Sequence, residues 1–157
     1  MQVKSAQEAM FIACEMERGA VQLYERALSL MNGREQEPLY AHLAYMLDEE
    51  RRHLSQFRAL YAGLDADAER ALTLSAVAAA VLFDGGLTGA ARKGLLDDER
   101  SMLRFAADSE RQAAATYRSF AAQCADTLAR DTLKGIAGEE DKHLQTLREQ
   151  QALLGNA

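Results

Sequence analysis

The sequence predicts an all-α protein in which four long helices form a bundle of two repeated helical hairpins joined by a long crossover. Three observations favour this fold. The chain, residues 1–157, has the length of one domain, is rich in the strong helix formers Ala, Leu, Glu, Arg and Gln, and has a single Pro. Apolar residues recur at the spacing of an amphipathic helix. One motif, Glu-x-x-His, occurs twice, at Glu50–His53 and at Glu140–His143.

The first predicted hairpin covers residues 5–63. Ser5 begins a capping-box pattern that is typical of a helix start, and the Asn-Gly pair at 32–33 is expected to end this first helix. Pro38 suits the first turn of the second helix, because its ring fixes a helical φ angle where no backbone hydrogen bond is lost. We expect the second helix to end near Gly63.

The segment 64–97 is predicted to be a crossover that contains a short helix of its own. Its Ala- and Val-rich stretch, 71–83, would serve either as a dimer contact or as a packed part of the crossover. The second hairpin covers residues 98–155, and a cap at Asp126 or Asp131 is expected to begin its second helix. A crossover of this length lets the second hairpin lie where a short loop would not place it.

Each Glu-x-x-His motif is preceded by a Glu-x6-Tyr motif in the helix before it. The two copies are Glu17 with Tyr24 and Glu110 with Tyr117. The Glu-x6-Tyr motifs are 93 residues apart (110 − 17) and the Glu-x-x-His motifs 90 residues apart (140 − 50). The difference of three falls in the loop within a hairpin, where insertions are tolerated. The repeat therefore predicts a pseudo-twofold site to which both hairpins contribute.

The two spacings suit metal binding on helices. Glu50 and His53 lie about 60° apart on neighbouring turns, so that one ion can contact both side chains. Glu17 and Tyr24 are nearly two turns apart and share a face. The tyrosine hydroxyl can then hydrogen-bond to a carboxylate ligand from a neighbouring helix.

The candidate metal ligands lie on helix faces that also carry apolar residues; they are Glu17, Glu50, His53, Glu110, Glu140 and His143. Burying charged groups without partners costs several kcal/mol each, but two divalent cations would neutralise four carboxylates. Mixed carboxylate and imidazole ligands favour iron or manganese, with zinc as a substitute. We expect two ions per chain, and iron because it cycles between ferrous and ferric states.

Composition weighs against several other classes of protein. The net charge of −6 without a basic stripe argues against nucleic-acid binding. No signal peptide and no long apolar run are present, so a cytoplasmic protein without a membrane span is expected. The two cysteines, Cys14 and Cys124, do not form a Cys-x-x-Cys pair, so they build neither a zinc ribbon nor a rubredoxin-type iron site.

These motifs resemble those of the ferritin-like di-iron carboxylate superfamily, most closely its rubrerythrin-like branch. The resemblance covers both helix pairs, leaves out the crossover and implies the ferritin-like four-helix fold. It implies that Glu17 and Glu110 are terminal or bridging carboxylates, and that the two Glu-x-x-His motifs supply ligand pairs. It also implies that Tyr24 and Tyr117 support the ligands in catalysis by hydrogen bonding.

The resemblance implies a non-haem di-iron oxidoreductase that reduces hydrogen peroxide or dioxygen. Electrons would come from an external donor such as a rubredoxin-type protein, and a homodimer is expected. Two features of rubrerythrins are missing from this sequence: the rubredoxin-type cysteines, and an additional Glu near the third-helix ligand. The position one turn after Glu110 is Ala113. An extra carboxylate would help to balance the charge of the oxidised centre, so Ala113 weighs against peroxidase activity without excluding it.

Three alternatives remain open. The chain could bind, store or deliver iron with slow ferroxidase chemistry, or hold a structural metal such as zinc. It could also be a monooxygenase acting on an organic substrate, which requires an apolar pocket beside the metals. Glu49 and Glu139, which adjoin the ligand glutamates, are expected to be rim charges or transient ligands for incoming iron.

Overall fold

The computed structural model describes residues 1–155, which form six α-helices and no strand. The helices are α1 (Ala6–Leu30), α2 (Pro38–Leu60), α3 (Ala66–Ala78), α4 (Gly86–Arg92), α5 (Glu99–Gln123) and α6 (Thr127–Gly155). The prediction of an all-α protein is therefore confirmed. Within these residues, no helix combines the length and the apolar character needed to cross a membrane.

The helix starts lie where the sequence places them. The side chains of Ser5 and Asp98 accept hydrogen bonds from first-turn backbone N–H groups of α1 and α5. Pro38 occupies the first turn of α2. Of the two candidate caps for α6, Asp126 is the one used, because its carboxylate accepts a hydrogen bond from a backbone N–H in the first turn at 2.7 Å.

The four long helices pack against one another around a shared interior. The most extensive contacts join α1 to α2 and α5 to α6, while smaller contacts join α1 to α5 and α2 to α6. The apolar interior consists of two clusters, one around Phe57 and Phe120 and the other around Leu43 and Leu103. Each cluster fills one end of the bundle, so a middle section lies between the two clusters.

The crossover contains two helices, α3 and α4, rather than the single short helix expected. The chain between them includes Ala80, Gly85 and Gly86 with positive φ angles of 55°, 75° and 56°, a conformation that interrupts a helix. Both helices pack on α1. In the Ala- and Val-rich stretch, Ala76 is fully buried within the chain whereas Leu74 is 72% exposed, so the stretch both packs internally and presents an apolar side chain outward.

Candidate metal centre

All six predicted metal ligands meet in the middle of the bundle, between the two apolar clusters. They come from all four long helices: Glu17 from α1, Glu50 and His53 from α2, Glu110 from α5, and Glu140 and His143 from α6. Each of them is at most 3% exposed. These six residues are called the carboxylate–histidine cluster below. Charged groups are rarely buried this completely unless they are paired or bind metal.

The cluster contains two overlapping ligand sets. One set is Glu17, Glu50, His53 and Glu140, and the other is Glu50, Glu110, Glu140 and His143. Within each set, one donor atom from every residue lies within 4.8 Å of the others. Glu50 and Glu140 belong to both sets, so their carboxylates can bridge two ions. Glu17 and Glu110 belong to one set each, which suits the terminal of the two roles that the sequence left open.

Both histidines turn the same ring nitrogen, Nδ1, toward the carboxylates. His53 Nδ1 lies 3.1 Å from Glu140 Oε1. His143 Nδ1 lies 2.9 Å from Glu50 Oε1 and 3.0 Å from Glu140 Oε2. Each histidine therefore approaches the glutamate of the other Glu-x-x-His motif, so that the two motifs are interlocked across α2 and α6.

The two tyrosines hydrogen-bond across the bundle in a reciprocal pattern. Tyr24 on α1 donates its hydroxyl proton to Glu110 on α5. Tyr117 on α5 donates to Glu17 Oε1 on α1, at 2.6 Å. Each terminal carboxylate thus has one oxygen held by a tyrosine from the opposite hairpin, which leaves its second oxygen for the cluster.

Burial and crowding shift the protonation of the carboxylates. Burial, and next the nearby Glu50 and Glu140, raise the pKa values of Glu17 and Glu110 well above the ordinary range. Burial alone would also raise the pKa of Glu50, but its contacts with the two histidines outweigh burial and lower that pKa to about 2. The carboxyl groups of Glu17 and Glu110 therefore hold protons readily when no metal ion lies close to them.

The histidines are pushed toward their cationic forms. Burial alone lowers the pKa of His53, but contacts with Glu140 and Glu50 outweigh it and raise that pKa to about 10. The same competition raises the pKa of His143 to about 12, with Glu110 as the largest of the raising contacts. The cluster as a whole thus attracts positive charge, whether from protons or from metal ions.

The donor atoms fit a pair of divalent metal ions. Several buried atoms have no hydrogen-bond partner among the described residues: Glu17 Oε2, Glu50 Oε1, both Glu140 oxygens, His53 Nδ1 and both ring nitrogens of His143. Buried polar atoms are nearly always partnered, so such a group of atoms in one place suits the binding of a cation. Carboxylate oxygen and imidazole nitrogen are ligands for iron, manganese and zinc alike.

The surroundings of the two histidines differ. His53 Nε2 lies 2.6 Å from Glu139 Oε2, and Arg52 contacts Glu139 at 3.0 Å and Glu49 at 2.9 Å. His143 Nε2 has no such partner within residues 1–155. Sequence reasoning gave Glu139 as a rim charge or a transient ligand for incoming iron and missed its contact with His53. The adjacent Glu in both motifs was the visible signal, but the alignment of α6 against α2 cannot be obtained from one sequence.

A cleft of about 890 Å³ lies between α1, α5 and the crossover, and it reaches the carboxylate–histidine cluster. Glu17, Glu50 and Glu110 form part of its lining, whose surface area is mostly apolar although further charged side chains, among them Asp84, Lys93 and Arg104, also contribute. This cleft could not be predicted from the sequence, because its walls come from segments that are far apart in the chain.

Comparisons with protein-family models, with curated proteins and with solved structures found no match to this chain. The likeness to rubrerythrins therefore rests on the motifs and on a helical bundle with a buried cluster that can hold metal.

Proposed function

We propose that this protein is a ferritin-like, non-haem di-iron oxidoreductase that reduces hydrogen peroxide or dioxygen. One observation carries the proposal: two overlapping ligand sets, each of three carboxylates and one histidine, share Glu50 and Glu140 at the centre of the bundle. Iron ions bound there would supply electrons by passing between the ferrous and ferric states. Reduction of one hydrogen peroxide to two waters consumes two electrons and two protons, one electron from each ion.

The chain's own residues would hold and shield such a pair of ions. Glu50 and Glu140 would contribute to holding both ions, and the histidines, whose Nδ1 atoms face these glutamates, would complete the ligand sets. The hydroxyls of Tyr24 and Tyr117 orient the terminal carboxylates. Burial, and next the neighbouring glutamates, raise the pKa values of both tyrosines well above their usual range, so these hydroxyls keep their protons and remain donors.

The same proposal includes the partners expected from the resemblance. An external donor, such as a rubredoxin-type protein, would return electrons to the centre after each reaction. A homodimer and a cytoplasmic location belong to the proposal as well.

The direct test is anaerobic loading with ferrous iron, followed by stopped-flow mixing with hydrogen peroxide or with air-saturated buffer. The proposal predicts oxidation faster than that of the same concentration of free ferrous iron, with absorbance changes typical of ferric carboxylate centres. A variant carrying Glu50→Ala and Glu140→Ala should react no faster than free iron. Oxidation of the loaded wild-type protein at the free-iron rate would rule the proposal out.

A second candidate function is supported by the cleft. Oxygenation of an organic substrate requires an apolar space beside the metals, and the cleft provides one that reaches Glu17, Glu50 and Glu110. In such a reaction one oxygen atom of dioxygen enters a C–H bond and the other leaves as water. Two electrons from the external donor and two protons complete the balance.

A further inference from the structure

The cleft has an apolar inner end. Ala113, the position at which rubrerythrins carry an additional glutamate, lines the cleft one turn after Glu110. Leu23 and Val77 contribute further apolar walls. A glutamate at position 113 would add a carboxylate to the part of the lining that already holds Glu110. The alanine leaves space and removes that charge, so the part of the cleft beside the cluster suits a hydrocarbon group.

The mouth of the cleft carries two cations without a carboxylate partner. Arg18 and Arg111 also line the cleft, but each forms an ion pair with a neighbouring acid on its own helix. Within residues 1–155, no acidic side chain pairs with Lys93 or Arg104. Lys93 Nζ instead lies 4.9 Å from the centre of the Phe83 ring. Asp84 also lines the cleft and forms no ion pair within residues 1–155, so the two exposed cations exceed the unpaired acids by one charge and can bind an anion.

We infer that the cleft binds an amphipathic organic carboxylate, with its apolar chain toward the carboxylate–histidine cluster and its carboxylate at Lys93 and Arg104. The apolar side chains of Leu23, Val77 and Ala113 favour the hydrocarbon chain at the inner end, and the two cations favour the carboxylate at the mouth, which together give this orientation. Arg104 and Glu110 are six residues apart on α5, about 9 Å along the helix axis. This distance suits a chain of medium length.

The aromatic rings at the mouth support the same orientation. Phe83 from the crossover and Phe105 from α5 pack edge to face, with ring centres 5.2 Å apart, and both line the cleft. They form an apolar passage between the cations and the inner end. A ligand with a charged head and a hydrocarbon chain would meet complementary groups along its whole length.

This inference rests on the proposed function in one respect: it names the class of organic molecule that the metal centre would act on. Binding itself can be measured without redox chemistry. Isothermal titration of the zinc-loaded protein with octanoate, 1-octanol and propionate separates the contributions of head and chain. We expect octanoate to bind about tenfold tighter than either of the other two, a difference of about 1.4 kcal/mol.

Two sets of variants locate the ligand. Lys93→Ala combined with Arg104→Ala should weaken octanoate binding about tenfold and leave 1-octanol binding unchanged. The matched control is Lys134→Ala with Arg26→Ala, which removes two exposed cations outside the cleft. Ala113→Leu should weaken both ligands by filling the inner end, whereas Ala115→Leu, exposed on the same helix, should not.

The inference is overturned if octanoate binds no tighter than 1-octanol, or if the variant lacking Lys93 and Arg104 binds it as well as the wild type does. It is also overturned if octanoate binding is lost on removal of zinc and its affinity is the same in the variant lacking Lys93 and Arg104. The carboxylate would then be a metal ligand. Because zinc is redox-inactive, none of these results depends on reaction with peroxide or dioxygen, and failure of the proposed function would leave them unchanged.

Discussion

The two halves of the carboxylate–histidine cluster are alike in their inner contacts and different in their outer ones. Within the cluster, Tyr24 and Tyr117 make reciprocal hydrogen bonds to Glu110 and Glu17. Farther out, only His53 has a carboxylate behind it, from Glu139. The repeat therefore determines the ligands, whereas residues outside the repeated motifs determine how each ligand is supported.

One substitution within the repeat accounts for part of this difference. Arg52 bridges Glu49 and Glu139 and holds Glu139 beside His53. The equivalent position in the second hairpin is Lys142 (52 + 90), which forms no ion pair within residues 1–155. A carboxylate that supports a ligating histidine fixes its ring and raises its basicity. The two metal positions should therefore bind with unequal affinity.

The largest expected effect comes from the shared ligands. Glu50→Ala or Glu140→Ala removes a carboxylate common to both ligand sets and should abolish binding of both ions. Glu17→Ala or Glu110→Ala removes a ligand from one set and should leave one ion per chain. Elemental analysis of anaerobically loaded protein measures the stoichiometry, with Glu49→Ala as the control that keeps both ions. Two ions per chain in both shared-ligand variants would show that the assignment is wrong.

The next effect is a pH dependence of the metal-free protein. The folded-state pKa values of Glu17 and Glu110 are raised, chiefly by burial, and that of His53 is raised to about 10 by Glu140 and Glu50, which outweigh burial. The folded protein therefore holds more protons than the unfolded chain above pH of about 4.5. Its stability should fall as the pH rises from there toward about 10.

Chemical denaturation at pH of about 5 and about 8 measures this change, and the zinc-loaded protein should show the opposite trend because metal binding displaces the protons. A Glu17→Gln and Glu110→Gln variant provides the control, since it lacks the two raised carboxyl groups and should lose part of the dependence. Metal-free protein that is more stable at the higher pH would contradict the protonation assigned to the cluster.

The difference between the two halves is tested by Glu139→Gln. Losing the carboxylate behind His53 should weaken one of the two metal positions about tenfold and leave the other unchanged. Competition with a chromophoric chelator resolves the two affinities. Glu49→Gln is the matched control, because Glu49 contacts Arg52 rather than His53. If Glu139→Gln lowers both metal affinities equally, or lowers neither, the two halves of the cluster are not unequal in the way proposed.

The smallest expected effect tests whether the two tyrosine–glutamate hydrogen bonds are equivalent. Tyr24→Phe and Tyr117→Phe each remove one buried hydrogen bond to a terminal carboxylate and should reduce stability by about 1 kcal/mol without loss of either ion. Denaturant titration of both variants gives the comparison. Strongly unequal losses of stability in the two variants would show that the two tyrosine hydrogen bonds contribute different free energies.

Sequence patterns identified the parts of this molecule that depend on local spacing. The Glu-x-x-His and Glu-x6-Tyr motifs selected six side chains that the structure brings together, because helical periodicity places residues on a face. The cap at Ser5 followed from local chemistry as well, whereas the sequence only limited the cap of α6 to Asp126 or Asp131. Features that depend on how helices align against one another were not accessible in this way.

Three such features show the limit. The sharing of Glu50 and Glu140 between two ligand sets depends on the register of α2 against α6. The contact between Glu139 and His53 depends on the same register. The cleft depends on where the crossover lies against α1 and α5. Each combines residues that are distant in the chain, and no local pattern encodes such a combination.

The most direct test of the central claim is the number of divalent ions that the folded chain binds. Metal-free protein should be titrated anaerobically with ferrous iron, and the number of bound ions per chain should be measured by equilibrium dialysis and elemental analysis. The account predicts two ions per wild-type chain, and none in a variant carrying Glu50→Gln and Glu140→Gln that remains folded by circular dichroism. Binding of fewer than two ions by the wild type, or of two by the variant, would contradict it.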